Sequence, residues 1–85
     1  VPDILTGWYF GDFCTRGVLD AKTRELLSLV LLAALGAEKQ LGAHVSGCLK
    51  AGATQEEIYT ALLHALPYMG FPLGVNAIRI ARQRL

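Results

Sequence analysis

A carboxylate, a guanidinium and an imidazole flank one very apolar stretch of this chain. Arg24 and Glu25 precede the run from Leu26 to Leu35, and Gln40 and His44 follow it beyond Gly36. If the chain folds back at Gly36, Glu25 lies eleven residues before the turn and His44 eight after it. At about 1.5 Å per residue the two differ by only ~4–5 Å along antiparallel axes, an offset their side chains span. A glutamate beside a histidine orients the ring and holds its proton, as general acid–base catalysis requires. A structural ion network has the same composition. On spacing alone, a half-buried histidine satisfied by a structural glutamate is the better account of the pair. Gln40, His44 and Cys48 recur every four residues and share one helix face.

The elements that must position these residues are all helical. Apolar residues recur at three and four, strict alternation is absent, and no Asn-Gly or Asp-Gly hairpin signal occurs. The pattern predicts five helices. The first covers about Ile4 to Thr15, with Trp8, Tyr9, Phe10 and Phe13 on more than one face. Asp20 caps a second, Ala21 to Leu35, which Gly36 ends. That helix is apolar all round, so it is expected to be central and buried on every side. A third runs from Glu38 to Lys50, closes at Gly52, and is rich in small residues (Gly42, Ala43, Ser46, Gly47) that let backbones approach. Thr54-Gln55-Glu56-Glu57 is a capping box, so a fourth helix starts at Gln55. Pro67 lacks an N–H and clashes with the Leu63 carbonyl, so this helix ends or kinks there. Pro72 and Gly74 mark another break before a last helix, Val75 to Arg84.

Bulk properties narrow the classes of function. Eighty-five residues make a single domain, residues 1–85, whose own core is marginal. Yet 53% of the residues are hydrophobic, more than so small a domain hides, so association into a homo-oligomer is expected. Leu26–Leu35 is far short of the roughly 20 residues a membrane span needs. The net charge of +1, with both signs scattered, offers no nucleic-acid groove and no polybasic anchor. Arg79, Arg82 and Arg84 read as cations near a helix C-terminus. Cys14 and Cys48 are far apart and read as reduced thiols of a cytoplasmic protein. The opening Val1-Pro2, without Met, reads as a processed form or a piece of a longer chain. No zinc-ligand spacing, phosphate loop or nucleophile elbow is present.

Several pieces occur in an order and spacing that together are specific. They are Phe10-Gly11-Asp12-Phe13, Leu19-Asp20-x-Lys22-Thr23-Arg24-Glu25-Leu26-Leu27, and Ala33-Ala34-Leu35-Gly36. Gln40-Leu41-x-Ala43-His44 and Ala51-Gly52-x-Thr54-x-Glu56-Glu57-Ile58 follow, then Pro67-Tyr68-x-Gly70-Phe71-Pro72 with Asn76-Ala77. In these the chain resembles the carboxymuconolactone decarboxylase family, related to alkylhydroperoxidase D, from about Phe10 to Arg82. The resemblance implies an all-α, alkylhydroperoxidase D-like bundle that assembles as trimers or hexamers. The family's peroxidase branch carries a glutamate, a CxxC and a histidine four residues after the second cysteine. Glu25 and His44 match, but the cysteine positions fall on Ala37 and Gln40. Without those thiols the thiolate chemistry of a peroxidase-like oxidoreductase is disfavoured.

Gln40 in place of a cysteine is similar to the decarboxylase branch. That implies a lyase taking CO₂ from 4-carboxymuconolactone or a related small carboxylated compound, with no metal or organic cofactor. The resemblance assigns His44 as proton donor and Glu25 as its orienting partner. Gln40 is a candidate hydrogen-bond donor to the lactone carbonyl. Arg24 is a candidate carboxylate anchor, but it lies about 100° round the helix from Glu25; an ion pair with Asp20 or an interface contact is the alternative. Tyr68 and Asn76 could line a pocket mouth or satisfy backbone groups freed at the Pro67–Pro72 break. His64 reads as solvent-facing or interfacial, Trp8 and Tyr9 as packing, Asp12 as a surface charge or a cap, and Cys48 as packing. A non-catalytic binding or assembly module of the same family is the rival reading.

Overall fold

The computed structural model describes residues 18–85, which form four helices: α1 Ala21–Leu35, α2 Glu38–Lys50, α3 Gln55–Met69 and α4 Phe71–Arg84. The expected helix at Ile4–Thr15, with Asp12 and Cys14, lies outside the described residues. Among the described residues there is no strand, and no helix is long and apolar enough to cross a membrane.

Local chemistry sets most of the boundaries. Asp20 sits in extended conformation and its carboxylate accepts the Thr23 N–H at 2.8 Å, which starts α1. Gly36 adopts φ 73°, a left-handed conformation that costs glycine no Cβ clash. Its N–H bonds to the Ala33 carbonyl and the Ala37 N–H to the Leu32 carbonyl, so α1 ends in a Schellman turn. The same pair of bonds recurs at Gly52, where Gly52 and Ala53 reach back to Leu49 and Cys48. Thr54 Oγ1 accepts the Glu57 N–H while the Glu57 carboxylate accepts the Thr54 N–H, completing the capping box.

The last two boundaries differ from the expectation. α3 continues two residues past Pro67 and stops at Gly70, which has φ 86°. A proline so near the end of a helix forfeits one hydrogen bond, and the following turn still closes by Gly70 N–H bonding to the Leu66 carbonyl. Pro72 does not break α4 but sits in its first turn, where its fixed φ suits a helix and its missing N–H is not needed. α4 therefore begins at Phe71 rather than Val75. Gly74 is a helical contact rather than a break. A Cβ there would stand 1.9 Å from Leu66 Cδ1, so α3 and α4 meet across this glycine.

α1 packs against all three other helices, and α2 packs most closely on α1 and α4. The core joins Leu29 and Ala33 of α1, Leu41, Val45 and Cys48 of α2, Ile58 and Leu62 of α3, and Ala77 and Ala81 of α4. Among the described residues α1 is central, but these do not cover it on every side. Three neighbours do not encircle a helix, and Leu27, Leu31 and Leu35 form a row that stays open, with Leu31 62% and Leu35 78% exposed.

Candidate active site

The turn at Gly36 lays α2 back along α1, and this brings Glu25 to His44. Glu25 Oε1 and His44 Nδ1 are 2.9 Å apart. An ionised carboxylate only accepts, so Nδ1 carries the proton and donates it to Oε1. The other ring nitrogen, Nε2, is then the one left for chemistry. Both side chains are about a third exposed. The pair therefore lies at the edge of the core, where solvent or a ligand reaches it.

Two residues on the same stretch of α2 shape its surroundings. Gly47 is one turn beyond His44, and a Cβ built on it would stand 2.7 Å from Glu25 Oε1. Cys48 is fully buried. Burial, and then the charge of Glu25, push its thiol up to about 11. A thiol so protonated at neutral pH is a poor nucleophile, which matches its expected packing role.

The other expected site residues are placed as follows. Gln40 is exposed one turn before His44 on α2. Arg24 is half-buried, and the two ion pairs among the described residues, Glu25–His44 and Lys22–Glu57, do not include it. The Asp20 carboxylate accepts from Thr23 instead, which, with smaller contributions from Lys22 and Arg24, holds it below the usual carboxylate range. Tyr68 is 84% exposed at the end of α3, its ring centroid 6.2 Å from that of His64. Asn76 does not satisfy backbone groups near the proline break. Its Nδ2 donates to Glu38 and its carbonyl oxygen accepts from Arg79, so it links α2 to α4.

Two open concavities among the described residues do not include the pair. One, of about 430 Å³, lies between α1 and α3 and is lined by Leu26, Leu27 and Val30, with Glu57 and His64 at its polar edge. The other, about 480 Å³, lies along α4 beside Phe71, Val75, Asn76 and Arg79. The hydrogen-bonded Glu25 and His44 are a better guide to the site than these hollows, which are open and hold no hydrogen-bonded acid–base pair. Sequence reasoning missed the Lys22–Glu57 ion pair at 3.0 Å and the packing of Gly47 on Glu25. The small-residue run of α2 was the only signal for the second. Among the described residues no three His, Cys, Asp or Glu side chains converge as a metal site.

An all-helical bundle with a carboxylate–imidazole pair across its first hairpin fits a known family. The sequence pattern of the carboxymuconolactone decarboxylase family matches residues 1–83, and the chain belongs to that family. It is 35% identical over 83 residues to the nitrosuccinic acid decarboxylase of Metarhizium robertsii, covering 98% of this chain and 58% of that one. It is 30% identical over 81 residues to the 4-carboxymuconolactone decarboxylase of Acinetobacter baylyi, covering 95% and 60%. An uncharacterized 15.0 kDa protein of Paracoccus denitrificans is 39% identical over 82 residues, covering 94% and 60%. The chain thus spans about 60% of the length of these relatives.

Proposed function

We propose that this chain carries the acid–base pair of a decarboxylase acting on a small carboxylated compound of the 4-carboxymuconolactone type. The observation that carries this reading is the 2.9 Å hydrogen bond between Glu25 and His44. The substrates named for two relatives share a useful feature. Each has a carboxyl group whose bonding electrons pass on cleavage to a neighbouring acceptor, an unsaturated lactone in one and a nitro group in the other. The C–C bond to the carboxylate breaks, CO₂ leaves, and the electron pair delocalises into the acceptor. His44, protonated on both nitrogens, then delivers the Nε2 proton to carbon while Nδ1–H stays on Glu25. Glu25 stabilises the imidazolium before the transfer and fixes the ring throughout it. Gln40, exposed one turn before His44, would donate to the charge that develops on the acceptor. Arg24, Tyr68 and Asn76 remain candidates for holding the rest of the substrate.

A second reading is a non-catalytic assembly module. The open row Leu27, Leu31 and Leu35 favours it, as does a pair lying outside both concavities. Decarboxylation of 4-carboxymuconolactone and of nitrosuccinic acid, followed by loss of ultraviolet absorbance, separates the two. The lyase reading expects turnover with wild type and a fall of about 10²–10⁴-fold in His44→Ala. No turnover of either compound by a correctly assembled protein sinks it and leaves the module.

A further inference from the structure

We infer that Gly47 is a positioning residue for His44: the absence of a side chain at 47 is what lets the Glu25 carboxylate reach Nδ1. The inference rests on the decarboxylase reading for its catalytic consequence but not for its geometry. Glu25 comes from α1 and must cross the surface of α2 to meet a ring rooted at position 44. Position 47 is three residues on, so it shares the face that Glu25 crosses. A Cβ at 47 would lie 2.7 Å from Oε1, the same oxygen that accepts from His44, and 3.3 Å from the carboxylate carbon. No side chain occupies that space without moving the acceptor.

What gives way is decided by stiffness. The atom in conflict is the far end of a flexible glutamate, not backbone. Alanine is also the better helix former. A Gly47→Ala variant therefore keeps α2 and loses the placement of Glu25. The same helix offers a matched control. A Cβ at Gly42 would stand 2.9 Å from Arg84 Nη2, again the end of a flexible charged side chain, but one whose hydrogen bond goes to Ser46 Oγ. Gly42→Ala imposes the same kind of displacement on a residue outside the pair.

The test is the protonation pattern of the two imidazole nitrogens in ¹⁵N-labelled full chain, read by long-range proton–nitrogen NMR, with His64 as internal reference. At a pH where both imidazoles are neutral, wild type is expected to show His44 protonated at Nδ1 in one tautomer. Gly47→Ala is expected to show the tautomer mixture of an unpaired imidazole, as Glu25→Ala does, while Gly42→Ala keeps the wild-type pattern. Decarboxylation by Gly47→Ala is expected to fall about 10²-fold in kcat/KM, in kcat rather than KM. The double variant Glu25→Ala/Gly47→Ala is expected to be no slower than Glu25→Ala alone, because both changes remove one interaction. A wild-type tautomer in Gly47→Ala overturns the inference, whatever the activity. Absence of turnover in wild type overturns only the decarboxylase reading, and the NMR result still decides the role of Gly47.

Discussion

A histidine that donates from Nδ1 to a carboxylate has only Nε2 left to act. At the scale of single residues, the charge on Glu25 is therefore its main asset. In Glu25→Gln the amide oxygen still accepts from Nδ1–H, so the ring stays in place. The imidazolium loses its counter-charge, and a charged hydrogen bond becomes a neutral one. The expected fall in kcat is roughly tenfold, smaller than for His44→Ala, and steady-state kinetics on the two variants check the order. Cys48 makes a prediction of the opposite kind. Its buried thiol is held up to about 11, above its ordinary 9.0. Below pH 9 the folded and unfolded chains both keep the proton, and its contribution to stability is complete. As pH rises from 9 through 11 the unfolded chain releases the proton first, so stability falls. Denaturant midpoints are expected to decline over that window, and less so in Cys48→Ala. The Glu25–His44 meeting was legible from residue counts on either side of Gly36. The Asn76 bond to Glu38 was not, because it joins residues 38 apart in sequence and no spacing rule reaches that far.

Elements were legible where a residue type has one meaning. Asp20, Gly36 and Thr54 each satisfy backbone groups that a helix end leaves open, and each boundary stands where those residues put it. Proline and glycine carry two meanings. Pro72 would break the middle of a helix but belongs in a first turn, and Gly74 weakens a helix but admits a neighbour. Which meaning applies depends on α3, whose Leu66 fills the space over Gly74. Substituting Gly74 tests this at the scale where it acts. Gly74→Ala is expected to destabilise by about 1–3 kcal/mol through overpacking of α3 on α4, despite the gain in helix propensity. Thermal unfolding checks it, and an unchanged or raised Tm would mean the two helices do not meet there.

At the scale of the whole molecule, part of the apolar excess among the described residues lies along α1. Leu27, Leu31 and Leu35 lie at four-residue intervals along α1, and Leu63 of α3 is also exposed. If a second copy covers this row, a charge within it prevents association. Leu31→Glu is expected to lower the mass in sedimentation while leaving helix content unchanged. Retention of the wild-type mass would place any subunit contact elsewhere.

Glu57 holds two helix beginnings with one carboxylate. Oε1 takes the Thr54 amide at the start of α3, and Oε2 takes Lys22 in the first turn of α1. Helix ends normally fray independently. Replacing Glu57 removes the cap of α3 and its tie to Lys22 together, so amide exchange in the first turn of α3 is expected to quicken while the first turn of α1, capped by Asp20, keeps its own rate.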